Sequence, residues 1–243
     1  MSASPRIPRI VHYCWFGRGP KPKLMLKCIS SWQRHLNGYQ FMEWNEDTFD
    51  IHSNRYVEEA YAARKYAFVS DYVRLYALYH QGGIYMDTDV EVVKPLDRFL
   101  NHEAFSGFED GHFLQSGTMG AARKHPWIEE LLLDYRNRSF LREDGSCDTT
   151  TNTAVISRIS ERRGLVLNGE HQVLDGGVVF YPRTYFSPYD YINGANFITS
   201  ESCTIHHFAQ SWLPAHIRVR SSIKRAASRI VGPKLISKMR DML

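Results

Sequence analysis

The order of apolar segments along these 243 residues predicts an α/β fold with a mixed central sheet. Strand-like and helix-like runs alternate over the first half, which calls for parallel strands joined by helices. Short strand-like runs then follow one another with only turns between them, which calls for antiparallel pairs. The composition, 43% hydrophobic and 23% charged, is that of one soluble globular domain with a modest appendage.

The elements follow in order. Ile7 to Phe16 is a β-rich apolar run bounded by Pro8 and by Gly17-Arg18-Gly19-Pro20, so it reads as a buried strand ending in a loop. Leu24 to His35 has helical patterning, and Tyr39 to Trp44 suits a second strand. Tyr56 to His80 is the longest periodic segment and reads as one helix, ended by Gly82-Gly83 as at a helix C-cap. Ile84–Met86, Val90–Val93 and Ala104–Phe108 are short strands, Trp127–Tyr135 is a helix, and Val178–Tyr181 and Cys203–His207 are late strands.

Net charge is +4, and it is unevenly spread. Residues 213–243 carry eight basic side chains against one acid, leaving −3 on the residues before them. Apolar residues interleave with those charges on both sides of Gly232-Pro233, so a basic amphipathic helical tail is expected, either meeting an anionic membrane surface or capping the domain as a solvated helix. Nucleic acid is not expected as a partner, because the body is mildly acidic and carries no such motif. No window has the ~18 uninterrupted apolar residues of a spanning helix, and the N-terminal residues lack a signal-peptide core. Cys14, Cys28, Cys147 and Cys203 are scattered, which fits reduced thiols in a cytoplasmic protein.

Ligands of open α/β sheets bind beyond the carboxyl ends of strands, and the loops after Trp15 and after Met86 carry unusual chemistry. Asp87 and Asp89 stand where a strand gives way to a turn, and two carboxylates there suit a hard divalent cation that also binds a substrate phosphate. Asp71 and Arg74, three apart, share one face of the preceding helix and offer an acceptor and a donor to sugar hydroxyls.

The stretch YAFVSDYVRLYALYHQGGIYMDTDVEVVKPLD, with IPRIVHYCWFG before it and IHHFAQSW after it, resembles the DXD sugar-binding region of glycosyltransferase family 32. That family includes bacterial capsule and lipopolysaccharide transferases and yeast initiating α-1,6-mannosyltransferases, and it is distantly similar to the clostridial glucosylating toxins. The resemblance implies a GT-A fold, a Rossmann-like mixed sheet flanked by helices, over residues 1–212, with 213–243 as the tail. It implies a retaining, metal-dependent transfer of a hexose from a nucleotide-sugar to a glycan or lipid-linked glycan, at the inner face of the membrane. Mn²⁺ or Mg²⁺ is the implied metal, and a UDP-sugar is favoured over GDP-mannose.

By the same resemblance, Trp15 matches the residue that stacks on the nucleobase, and Ser70, Asp71 and Arg74 match the helix that contacts donor sugar and ribose. Tyr85 matches an aromatic at the donor, Asp87 the first DXD carboxylate and Asp89 the direct metal ligand. His206, His207 or Ser211 completes the metal shell, and Trp212 contacts the diphosphate. Adjacent histidines in a strand face opposite ways, so one of the two is expected to reach the site. Gly117 is expected where substrate nears the sheet, and Asp148, Asn152 and Gln172 are weaker polar candidates. With Asp71 engaged and no other acid in view, front-face attack is expected over a covalent intermediate. The alternatives are a non-catalytic nucleotide-sugar-binding module and a nucleotidyl transferase. The latter, metal-dependent, would be marked by a basic Gly-rich loop near the first strand, for which Gly17-Arg18-Gly19 followed by Lys21 gives a faint basis.

Overall fold

The computed structural model describes residues 5–190 and 195–209. Ser211, Trp212 and the basic tail 213–243 lie outside the described residues, and with them the expected diphosphate contact and membrane segment. No helix among the described residues is long and apolar enough to cross a membrane.

The chain forms a mixed α/β fold around a seven-stranded sheet ordered β2-β1-β3-β6-β5-β8-β7. Its strands are β1 (Ile10–Cys14), β2 (Gln40–Trp44), β3 (Gly83–Met86), β5 (Ala104–Gly107), β6 (Thr118–Ala121), β7 (Gln172–Leu174) and β8 (Val178–Tyr181). β1 runs parallel to β2 and β3, β6 is antiparallel to both β3 and β5, and β5 is parallel to β8. β1, β3 and β5 therefore point the same way, and their carboxyl ends share one edge. A second, two-stranded antiparallel sheet pairs β4 (Val90–Val92) with β9 (Thr204–His206), placing Val90 opposite His206.

Helices cover both faces and divide the apolar core in two. One cluster joins α2 (Arg55–Ala62), α3 (Tyr66–Gln81), α4 (Pro126–Asp134) and α5 (Asn152–Arg162) to the sheet through residues such as Val73, Leu78, Tyr85, Trp127 and Ile156. The other packs α1 (Lys23–His35) and α6 (Arg183–Phe186) through Trp32, Ile84, Phe105 and Phe186. Trp32 Nε1 donates to the Val90 carbonyl (2.7 Å), fastening α1 to the second sheet.

The single helix expected from Tyr56 to His80 is two. Lys65 N donates to Ala60 O (2.8 Å) and Arg64 N to Tyr61 O (2.9 Å), the paired bonds of a Schellman C-cap. Arg64 takes φ +56°, a position usually held by glycine, so no glycine marks the break between the helices. At the other end Gly82 (φ +66°) closes α3. Gly83 (φ +107°) follows, and a Cβ there would stand 2.6 Å from the Ile10 carbonyl.

α5 was not expected: Thr151 caps it by accepting from Ala154 N (3.4 Å), and the apolar positions Val155, Ile156 and Ile159 form its buried side. A threonine before helical apolar spacing was the available signal.

Candidate active site

One cleft of about 600 Å³ opens along the sheet edge where β1, β3 and β5 end, and Trp15, Ser70, Asp71, Arg74, Tyr85, Asp87 and Asp89 all line it. Trp15 follows β1. Its backbone is held by the Trp44 carbonyl (2.9 Å), and its indole N–H donates to Gly19 O (2.8 Å), leaving a half-buried ring at the cleft wall. Glu46 steadies that loop by accepting from Gly17 N (2.6 Å) and from the Tyr61 hydroxyl (2.8 Å). The two loop cations are already neutralised, Arg18 by Asp47 (2.6 Å) and Lys21 by Glu43, so no basic phosphate cradle is left there.

Asp87 is the first residue beyond β3, and its N–H donates to the Gly117 carbonyl (2.9 Å). The turn closes when Val90 N donates to Asp87 O (3.0 Å), which brings Asp89 round to the same cleft. Asp87 Oδ1 accepts from the Tyr85 hydroxyl (2.9 Å) and lies 3.2 Å from Arg74 Nη1.

Arg74 is 4% exposed, and its donors go to protein. Nη1 bonds the Ser116 carbonyl (2.8 Å), Nη2 bonds Asp71 Oδ1 (2.7 Å), and the guanidinium lies 4.6 Å from the centre of the Tyr85 ring. Arg74 thus acts on the cleft mainly by holding carboxylates. Tyr85, 1% exposed, is a packed strand residue whose hydroxyl donates to Asp87 at the cleft floor. Burial pushes the Asp71 carboxyl up to about 6 against the pull of Arg74.

Pairing with β4 turns His206 inward and His207 outward. His206 Nε2 lies 3.2 Å from Asp89 Oδ1, whereas His207 Nε2 meets Glu91 Oε2 at 2.8 Å on the far side. His207 is therefore corrected as a metal-ligand candidate: the alternation of the strand aims it away. Asp89 also pins the segment after β9, accepting from Ala209 N at Oδ2 (2.7 Å) and from His207 N at its carbonyl (3.1 Å). Burial alone would raise the Asp89 carboxyl, but the His206 charge and these hydrogen bonds hold it well below the usual range. Burial likewise works against a charged His206, yet Asp89, Asp87 and Glu109 together lift its imidazole well above the usual range. Phe208 stacks on the His206 ring at 4.0 Å.

Asp87, Asp89 and His206 each bring a ligand atom within 4.8 Å of the others. Two carboxylates and one imidazole are a donor set for Mn²⁺ or Mg²⁺. The fit has independent support: His206 Nδ1 is buried without a hydrogen-bond partner, and in the neutral ring with Nε2–H turned to Asp89 its lone pair is free for a cation at the cluster.

Other candidates divide. Asn152 lines the cleft, and its amide donates to the Asp71 carbonyl (3.5 Å). Asp148 does not line it and is paired with Arg138 (2.7 Å), while Gln172 sits on β7 bonding Val166 N (2.9 Å). Glu109 and Thr149 line the cleft and were not foreseen.

Residues 22–106, which contain α3 and the Asp87–Asp89 turn, match a family model described as the glycosyltransferase sugar-binding region containing the DXD motif. Two curated proteins of Schizosaccharomyces pombe are similar. Inositol phosphoceramide mannosyltransferase 1 is 26% identical over 145 residues, covering 52% of this chain and 42% of that protein. Inositol phosphoceramide mannosyltransferase 3 is 26% identical over 137 residues, covering 53% and 37%. The chain thus spans less than half the length of these relatives. Among solved structures, a glycosyltransferase involved in glycosylation of the major capsid of PBCV-1 superposes with a TM-score of 0.50 at 12% identity, over 88% of this chain and all of that one. That likeness concerns the fold. The chain is a distant relative of fungal mannosyltransferases, with a GT-A-like mixed α/β fold and a DXD-type sugar-binding region.

Proposed function

We propose that this chain is a metal-dependent glycosyltransferase that moves a hexose from a nucleotide-sugar to a hydroxyl acceptor. The observation that carries the reading is the convergence of Asp87, Asp89 and His206 on one point of a cleft shared with Trp15 and the Ser70–Arg74 face. A divalent cation bound by those three residues supplies positive charge to a departing diphosphate. The protein's own groups do the rest by position. Trp15 offers a flat apolar wall for the nucleobase. Arg74 and Tyr85 fix the Asp87 carboxylate, and Asp71, its backbone held by Asn152, presents an acceptor to the sugar.

The transfer is read as retaining, as the family resemblance implies, with the acceptor hydroxyl attacking the face that the diphosphate leaves and the departing diphosphate taking the hydroxyl proton. A UDP-sugar is the first donor to test, and the mannosyl transfer named for the two fungal relatives makes GDP-mannose its competitor. Glycans of capsule or lipopolysaccharide type are the proposed acceptors. Residues 213–243 are proposed to bring the enzyme to an anionic membrane face; deleting 217–243 should weaken co-sedimentation with anionic liposomes.

The test is a donor screen with Mn²⁺ or Mg²⁺ that reads release of UDP or GDP. Metal-dependent release that Asp89→Ala abolishes supports the reading. Release indifferent to metal, or none from any donor, overturns it.

A further inference from the structure

The cleft lining contains four acidic side chains: Asp71, Asp87, Asp89 and Glu109. Three have protein partners. Asp71 has Arg74, Asp87 has Tyr85 and Arg74, and Asp89 has His206 and the Ala209 amide. Among the described residues the Glu109 carboxylate makes no hydrogen bond or ion pair. Burial pushes it above the usual carboxylate range, and the charge of His206 only partly offsets this. This half-buried carboxylate faces the cleft without a protein partner, so a ligand that donates to it is the natural complement.

Its support is stiff. Phe108 beneath it is fully buried and donates its N–H to the Tyr181 carbonyl (2.9 Å). Glu109 N donates to Phe113 O (2.9 Å), and Asp110 Oδ1 closes the turn by accepting from His112 N (2.7 Å) and Phe113 N (2.9 Å).

The sheet order says which ligand. Along the edge come Trp15 after β1, Asp87 after β3, then the amino end of β6, then Glu109 after β5. Glu109 lies on the side of the metal cluster away from Trp15, and it is not part of that cluster. With a nucleobase at Trp15 and a diphosphate at the cluster, the far side is where the transferred sugar meets its acceptor. A second carboxylate there repels phosphate and suits hydroxyl donors.

We propose that Glu109 is the acceptor-binding carboxylate, taking hydrogen bonds from hydroxyls of the incoming molecule and so selecting neutral, polyhydroxylated acceptors. The inference rests on the transferase reading above and adds the acceptor side to it.

The experiment uses the full chain with Mn²⁺ and the donor found by the screen, offering the methyl glycosides of glucose, galactose and mannose as acceptors. Glu109→Gln should raise the acceptor KM about tenfold to a hundredfold, the loss of a charge-assisted hydrogen bond. It should lower the ratio of transfer to hydrolysis in proportion, while calorimetric binding of UDP or GDP with Mn²⁺ stays within about twofold. Glu109→Asp, which withdraws the carboxylate by one methylene, makes the same comparison if the glutamine variant does not fold. An unchanged acceptor KM, or a parallel loss of nucleotide binding, overturns the proposal. If the wild-type protein transfers to these acceptors and both variants match it, the acceptor role falls and the transferase reading stands. If the wild type releases no nucleotide from any donor, both fall.

Discussion

Gly117 stands against His206: a Cβ at residue 117 would lie 3.0 Å from His206 Nδ1 and 3.2 Å from Asp87 Oδ2. A Cβ there would press both ligand candidates apart by a few tenths of an ångström. Gly117→Ala should therefore fold and yet bind Mn²⁺ about tenfold to a hundredfold more weakly, the usual scale for a disturbed metal surround. Titration of Mn²⁺ followed by electron paramagnetic resonance reads this, and wild-type affinity in the alanine variant would contradict the geometry.

Tyr85 tests whether Asp87 must be held. Phenylalanine keeps the buried ring beside Arg74 and removes only the hydroxyl that donates to Asp87 Oδ1 at 2.9 Å. Tyr85→Phe should cost about 1 kcal/mol in stability and weaken Mn²⁺ binding several-fold. Urea denaturation and metal titration measure the two. A large loss of stability with full metal binding would assign the hydroxyl to the core alone.

Arg74 joins Asp71, Asp87 and the Ser116 carbonyl through one buried guanidinium. Removing it leaves two carboxylates facing each other without a cation, so Arg74→Ala should lose about 3–5 kcal/mol. Arg74→Lys keeps the charge but not the planar fork and should recover only part of the loss. Complete recovery by lysine, in thermal or urea unfolding, would mean that charge alone matters there.

His12 predicts an acid limb in stability. The ring is fully buried, its Nε2 donating to the Gly82 carbonyl (2.7 Å) while Nδ1 accepts from Trp44 Nε1 (3.1 Å), so the neutral form is the one accommodated. Burial lowers its pKa from 6.5 to about 4. The unfolded chain takes up the proton first as pH falls. This contribution is therefore complete above pH 6.5, declines as pH drops through that value, and levels off below about 4. The full amplitude is roughly 3 kcal/mol. Urea midpoints for His12→Gln should show a shallower decline over this window than wild type; identical slopes would remove His12 as the cause.

The parallel core of the fold was legible because its strands are continuous apolar runs with glycine or proline at their ends, and the Asp87–Asp89 turn because acids break such a run abruptly. The break between α2 and α3 was hidden, since its left-handed residue is Arg64 rather than glycine. His206 and His207 were inseparable in sequence, as only the register opposite Val90 decides which faces the acids. Glu109 gave no signal at all: its relevance comes from β5 lying parallel to β1 and β3, a relationship between strands that no local pattern encodes.

The central claim is a cation held jointly by Asp87, Asp89 and His206 beside a nucleotide. Anomalous diffraction at the manganese edge, from crystals soaked with Mn²⁺ and a nucleoside diphosphate, tests it most directly. One strong peak is expected within bonding distance of all three side chains, with the nucleobase against Trp15. A peak that excludes His206 or either aspartate, or a nucleotide bound with no peak at these residues, would contradict it.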